Sequence, residues 1–437
     1  MIKLNYSGIS EADFLDAFQV LEECKTLNLP AHGFTRLFMS PGGQYSGCWW
    51  ERDTSLATLG YLYKDQKFCE GVLLNFVDVQ KENGRIPLWG GTDFPFENKD
   101  AEMSAIPVIF EVAYKICRRT NDKEYIGKVY EMLKRYHGWW MSDLKRDAKT
   151  GLVCGIFEEC DPSDIKEQLT VAQPDLNVQL ALGADIIREL AEYLGNREEA
   201  SYYNDVFEDL KTRINKYMYE PTDGGYYAYM VKEDRRQTER IYNSMFDTFK
   251  RGIVPEERRD RLVELLKEEG AYNYYSEFGL RSMSKKSEEY VETVGLYKGY
   301  TSWCGNIWTL RNYIILTGLK ECGYLEESAH VADQMLHVFC GNYAEFVSPT
   351  DGKGHGVFRY AWSASECIAT MIEEIFGIDY CAWTDKLEVK PNLPKRLKGE
   401  KISIENVSLG NGNFVHVFVD WTGDEIVTTY GVTSQER

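Results

Sequence analysis

The stretch Lys123-Glu-Tyr-Ile-Gly-Lys-Val-Tyr-Glu-Met-Leu-Lys-Arg-Tyr-His-Gly-Trp-Trp140 decides the fold. Ile126, Val129, Leu133, Tyr136 and Trp140 recur at spacings of 3, 4, 3 and 4, which lays one apolar stripe along an α-helix. Residues 174–195 repeat the pattern with Leu176, Leu180, Ile187, Leu190 and Leu194, and so do Ala364, Ile368, Met371 and Ile375. Further helices are expected near 10–28, 53–64, 67–82, 101–118, 197–218, 238–250, 256–269, 306–320 and 325–340. Almost no alternating strand is expected before residue 380. Each amphipathic helix must bury its stripe on a neighbour, and hairpins joined through Gly, Pro and Asp-rich loops do this by closing into a ring. No short internal repeat is present, which disfavours a regular solenoid.

After residue 380 the period changes. Leu387 and Val389, Ile402 and Ile404, then Val415, Val417 and Val419 alternate with polar residues, punctuated by Pro391, Pro394, Gly410 and Gly412. The expectation is an all-α body over 1–380 and a small C-terminal β-sandwich-like module over 381–437.

Charge and composition exclude several classes of function. Fifty Lys and Arg stand against 69 Asp and Glu, a formal charge of −19, so phosphate backbones are repelled and nucleic acid is not the expected partner. Aromatics are 14% of the 437 residues and interleave with the acidic ones, unlike a disordered chain. No run of 18 apolar residues offers a membrane span, and the start Met1-Ile-Lys-Leu-Asn5 does not open a secretory signal. The 11 cysteines form no Cys-x-x-Cys pair, so free thiols in a reducing, cytoplasmic compartment are expected. The six histidines form no His-Glu-x-x-His cluster, so neither a transition metal nor another cofactor is expected.

Four stretches between helices have unusual composition, and loops at one mouth of a helical ring are where function concentrates. In Gln44-Tyr-Ser-Gly-Cys-Trp-Trp-Glu-Arg-Asp53, Asp53 suits a helix N-cap with aromatic packing around it. The same residues suit a sugar platform, with a Trp face against a pyranose and Arg52 and Asp53 on adjacent hydroxyls. Gly155-Ile-Phe-Glu-Glu-Cys-Asp-Pro-Ser-Asp164 carries Glu158, Glu159, Asp161 and Asp164. Such a cluster is a solvated acidic loop, a calcium site, or a place where like charges raise the pKa of a general acid. In Ser302-Trp-Cys-Gly-Asn-Ile-Trp308, Gly305 allows a close backbone approach between Trp303 and Trp308, and core packing accounts for Trp308. Tyr343-Ala-Glu-Phe-Val-Ser-Pro-Thr-Asp-Gly352 places Glu345 in an aromatic loop before Phe358-Arg-Tyr-Ala-Trp-Ser-Ala364. Glu345 gains meaning as the partner of a carboxyl in the 158–164 loop.

Together and in this order these stretches resemble the (α/α)6-barrel, six-hairpin glycoside hydrolases, and most closely glycoside hydrolase family 63. Trehalase, glucoamylase and the glucosidase domain of debranching enzymes are more distantly similar. The resemblance rests on Trp49-Trp-Glu-Arg-Asp53, Asn83-Gly-Arg-Ile-Pro87, Pro174-Asp-Leu-Asn-Val-Gln-Leu180 and Phe278-Gly-Leu-Arg-Ser-Met-Ser284. It continues through Trp303-x-Gly-x-x-Trp308 with Asn312-Tyr313, and Tyr360-Ala-Trp-Ser-Ala364, covering residues 40 to 380. The family often reads Trp-Arg-Gly-Pro-x-Trp at the fifth of these, where this chain has Cys304 and Asn306.

The resemblance implies an inverting, exo-acting hydrolase of α-glycosidic bonds in a small or oligomeric carbohydrate. By position it makes Asp161 the general acid, chosen over Glu158, Glu159 and Asp164. Glu345, followed by Pro349 and Gly352, matches the general base. Trp50, Arg52, Asp53, Trp303, Gly305, Trp308, Tyr360 and Trp362 would bind substrate. A phosphorylase on the same barrel, or a carbohydrate-binding protein without catalysis, are the alternatives.

Overall fold

The computed structural model describes residues 2–26, 33–90, 103–155, 158–160, 170–267, 272–292 and 302–434. The first helices are α1 (Glu11–Cys24), α2 (Glu51–Tyr61), α3 (Gln66–Val79), α4 (Ile109–Arg118) and α5 (Lys123–Trp140). They continue as α6 (Pro174–Leu194), α7 (Arg197–Tyr217), α8 (Glu256–Lys267), α9 (Thr309–Glu321), α10 (Leu325–Phe339) and α11 (Ala361–Ala369). A 3-10 segment, Asn243–Gly252, lies between α7 and α8. Helix ends follow local chemistry. The Ser10, Asp65 and Asp122 side chains accept backbone N–H groups at the starts of α1, α3 and α5. Pro174 opens α6, and Gly195, at φ +89°, ends it.

Two kinds of helix result. All residues of α11, and residues 309–319 of α9, are buried. By contrast α7 buries only Ala200, Tyr203, Phe207, Leu210 and Ile214, one stripe at helical spacing. The enclosed helices pack on one another: α2 lies against α4 and α11, and α6 against α4 and the 243–252 segment. Helix α9 lies against that segment and against α11. The amphipathic helices cover them, with α1 on α11, α3 on α2, α7 on α6 and α10 on α9. The approach of α2 to α11 is tight: a Cβ on Gly60 would stand 2.4 Å from the Ser365 carbonyl oxygen. The Ser365 hydroxyl also accepts from Gly60 N at 2.7 Å and donates to the Leu56 carbonyl at 2.8 Å.

A four-stranded antiparallel sheet follows the helices. Its order is 3–5, 401–408, 413–420 and 427–434, so the N-terminal strand joins the C-terminal ones. Ile402, Ile404, Val415, Val417 and Val419 form its buried face, as their alternation predicts. The outermost strand, Val427–Ser434, buries no residue and has no half-buried apolar pattern to read.

Several expectations need correction. The chain has short two-residue ladders before residue 380, such as Trp49–Trp50 with Trp89–Gly90 and Phe346–Val347 with Gly354–His355. Two residues are too few to show alternation. Helix α4 starts at Ile109 rather than near 101, because Pro107 biases the residue before it away from helical geometry. The expected 238–250 helix is a 3-10 segment that breaks at Lys250 and Arg251. Asp53 is not an N-cap: Trp50 occupies that position and Asp53 lies inside the first turn of α2. Nine of the 11 cysteines are buried. No described helix is long and apolar enough to cross a membrane.

Candidate active site

The N-terminal ends of α2, α9 and α11 bring the motif residues together. Trp49 and Trp50 pair with Gly90 and Trp89, and only glycine fits at 90, since a Cβ there would stand 2.4 Å from the Trp49 ring. Trp49 turns to the core and stacks on Phe34 at 4.4 Å. Trp50 meets Trp89 at 6.3 Å and the edge of Tyr45 at 5.2 Å. The chain then enters α2, whose first turn carries Arg52 and Asp53. Both carry charge at a helix N-terminus, where the dipole favours the carboxylate.

Asp53 accepts a hydrogen bond from the Tyr360 hydroxyl at 2.6 Å. Its other oxygen is 3.4 Å from Arg52 Nε. Arg52 donates to Glu158 Oε2 at 3.0 Å. The guanidinium carbon lies 5.1 Å from the Trp362 ring centroid and 5.4 Å from that of Trp303, within cation–π range. Trp303 stacks on Trp308 at 3.7 Å with planes 2° apart, and Trp362 meets both edge-on. Arg52 is thus fixed by two carboxylates and two indoles, and it organises the mouth.

Glu345 sits at the start of a hairpin whose strands pair Phe346 with His355. Its backbone N–H donates to the Val357 carbonyl at 2.7 Å, and its Oε2 accepts from Val357 N at 3.0 Å. Gly356, at φ +72°, makes this possible, since a Cβ there would fall 2.4 Å from Oε2. Burial pushes the Glu345 carboxyl up to about 7; the Val357 hydrogen bond and Arg52 oppose this, while Asp53 and Glu158 add to it. Phe346, the next residue, stacks on Trp308 at 4.9 Å.

The acidic loop is less uniform than its sequence suggests. Asp161 and Asp164 lie outside the described residues. Glu159 is fully buried and ion-paired: Lys145 Nζ donates to both its oxygens, at 2.8 and 2.6 Å, and Ser104 N to one at 3.0 Å. Glu158 sits at φ +73° with its carboxyl on Arg52. Burial raises its pKa, against the pull of Arg52. These two glutamates are therefore held by cations, not by mutual repulsion. At Gly305 the close backbone approach is to the protein's own chain, since a Cβ there would meet the Val291 carbonyl oxygen at 2.6 Å.

Two carboxyls escaped the sequence reading. Glu366 is fully buried on α11, and burial pushes it up to about 8, with Asp53 adding to the shift. Glu51 is also fully buried, and burial raises it well above the ordinary range. A lone charged residue among the otherwise uncharged residues Ala361–Ala369 was the available signal for Glu366.

The structure is thus a helical body whose aromatic mouth gathers carboxyls from the start of α2 and from the loops at 158 and 345, and solved structures share its fold. The fold is similar to that of a family 63 mannosylglycerate hydrolase from Thermus thermophilus, solved with glucose: TM-score 0.66, 15% identity, 82% of this chain and 99% of that one. It is also similar to a neutral trehalase from Saccharomyces cerevisiae, with TM-score 0.61, 15% identity, and 80% and 76% of the two chains. Residues 155–363 match the family model described as "Mannosylglycerate hydrolase MGH1-like glycoside hydrolase domain". The resemblance to glycoside hydrolase family 63 read from the motifs therefore holds. An uncharacterized protein of Borreliella burgdorferi is 25% identical over 253 residues, which are 57% of this chain and half the length of that relative.

Proposed function

We propose that this chain is an inverting, exo-acting glycoside hydrolase that cleaves α-glycosidic bonds of a small or oligomeric carbohydrate. The single observation that carries the proposal is Glu345: a buried carboxyl raised to about 7, fixed on its own hairpin, beside the Arg52–Asp53–Trp303–Trp362 cluster. A general base works best with a pKa near the operating pH. The proposal includes a closed (α/α)6 ring over 1–380 and a C-terminal β-module over 381–437. The order in which α2, α4, α6, the 243–252 segment, α9 and α11 touch supports the ring.

In this reading Asp161 is the general acid. The Arg52–Glu158 contact brings the start of its loop to the mouth. Protonated Asp161 gives its proton to the glycosidic oxygen, and the bond from that oxygen to the anomeric carbon breaks. Glu345 takes a proton from water, whose oxygen bonds to the anomeric carbon from the opposite face. The two carboxyls would stand about 6.5–9.5 Å apart to admit that water. Arg52 and Asp53 would hold adjacent hydroxyls, and Trp50, Trp303, Trp308, Tyr360 and Trp362 would wall the pocket and exclude solvent.

Anomer-resolved NMR on a panel of aryl-α-glycosides and small α-glycosides tests the proposal. An inverted product anomer, lost in Glu345→Gln, is the expected result. A retained anomer overturns the acid/base pairing. Cleavage that needs inorganic phosphate makes the protein a phosphorylase instead.

A further inference from the structure

A large cavity formed by described residues lies away from the aromatic mouth. It measures about 640 Å³ and sits where the buried helices end, lined by Leu62 of the α2 terminus, Lys115 of α4, Lys320 of α9 and Glu374 beyond α11. Of these helices, α2, α9 and α11 begin at the aromatic mouth. Lys320 lies eleven residue steps along α9 from Thr309, about 17 Å at 1.5 Å per residue. The volume falls within the range of about 300–1,000 Å³ usual for small-molecule sites.

Most charges around this cavity have opposite partners, while Arg119 donates to the Ser408 carbonyl at 2.7 Å. Lys115 pairs with Glu373 and also donates to the Tyr313 hydroxyl at 2.6 Å. Lys250 pairs with Glu111 at 2.8 Å and Glu321 at 2.7 Å, and Lys320 with Glu374 at 3.0 Å. Arg118 holds Asp379 through two hydrogen bonds of 3.0 Å. A charged ligand would have to strip one of these groups from its partner and leave a half-buried charge uncompensated. A neutral polyhydroxyl ligand can accept from the ammonium groups and donate to the carboxylates without breaking any pair. The walls supply the rest of what such a ligand needs, with Tyr63, Tyr114 and Tyr313 beside Leu56, Leu59 and Leu310. Aromatic faces suit the C–H faces of a sugar ring, and paired planar charges suit its hydroxyls.

We infer that this second cavity is a binding site for a neutral saccharide, separate from the catalytic mouth. It does not depend on the hydrolase reading: a chain that hydrolysed nothing could still bind sugar here.

The test is calorimetric titration of glucose, mannose, trehalose and, as a charged control, glucose 6-phosphate into the full chain, Trp303→Ala and Thr317→Trp. Trp303→Ala opens the catalytic pocket wall. Thr317 lines the second cavity, and a Trp there fills it. At least one sugar should bind Trp303→Ala within twofold of the parent affinity and bind Thr317→Trp at least tenfold more weakly. Should Thr317→Trp not fold, hydrogen exchange on the unaltered chain reads the same site: sugar should protect amides of 310–320 and 370–380. The inference is overturned if none of these sugars binds Trp303→Ala. It is equally overturned if a folded Thr317→Trp binds as the parent does, if protection is confined to 45–53 and 343–362, or if glucose 6-phosphate binds this cavity more tightly than glucose.

Discussion

The Tyr360 hydroxyl donates to Asp53 across 307 positions of sequence, at 2.6 Å and out of solvent. This bond joins the start of α11 to the first turn of α2 and fixes the carboxylate that faces Arg52. Hydrogen bonds to charged groups contribute about 1.5–3 kcal/mol. Tyr360→Phe should therefore lower unfolding free energy by about that amount in urea melts, and should lower kcat/KM as Asp53 and Arg52 lose their fixed positions. Unchanged stability and activity together would mean that the bond positions nothing.

Glu345 sets a pH dependence. Its carboxyl is raised to about 7 in the folded chain, so the active ionised form accumulates as pH rises through about 7. The acidic limb of kcat/KM should fall near that pH, since this profile reports the free enzyme. Glu345→Gln should lower kcat by about 100- to 10,000-fold. The stability effect has the opposite sense. Folding favours the neutral acid, so its contribution is full below the unfolded value near 4.5 and is lost as pH rises toward 7. Glu366, raised to about 8, extends that loss to higher pH. Urea melts between pH 5 and 8 should show Glu345→Gln with a shallower decline than the parent.

The acidic loop separates by substitution. Asp161→Asn should keep sugar binding and lose nearly all hydrolysis, whereas Glu158→Gln should chiefly raise KM by loosening Arg52. Full activity in Asp161→Asn would move the acid elsewhere. Lys145→Met should act through stability alone, because it strands the buried Glu159 carboxylate. Breaking one partner of such a pair costs about 3–5 kcal/mol, and thermal melting reads it directly.

Gly60→Ala tests the contact of α2 with α11. The added methyl would stand 2.4 Å from a backbone oxygen that cannot rotate away. Overpacking of this kind costs about 1–3 kcal/mol, although Ala is the better helix former. A melting temperature at or above the parent's would show that the two helices separate easily.

The helices were legible because each buries a stripe or a whole surface over many residues, as at Ile126–Trp140 and Leu176–Leu194. Periodicity is a local property, and it survived even where a boundary slipped by about two turns, as at the start of α4. The motif residues Arg52, Asp53, Trp303, Tyr360 and Trp362 were legible because Trp and charge together are rare between helices. Their roles were not. Asp53 reads as an N-cap or a sugar ligand, but Trp50 takes the cap position and Tyr360, 307 positions away, supplies the Asp53 partner. Glu158 and Glu159 read as members of one acidic loop until Arg52 of α2 and Lys145, in the turn after α5, supply their partners.

Sequence by itself determined a helical body followed by β-strands, a formal charge of −19, and a set of aromatic and carboxylate residues resembling a glycosidase site. Only the tertiary structure decided which carboxyls are raised, which are paired and which helix ends share a mouth. The pairing of strand 3–5 with strand 401–408, and the cavity between the far helix ends, likewise have no local signature. The physical reason is the same in each case. Helix formation depends on spacing along the chain, whereas a carboxyl's protonation depends on burial and on charges that folding brings from hundreds of residues away.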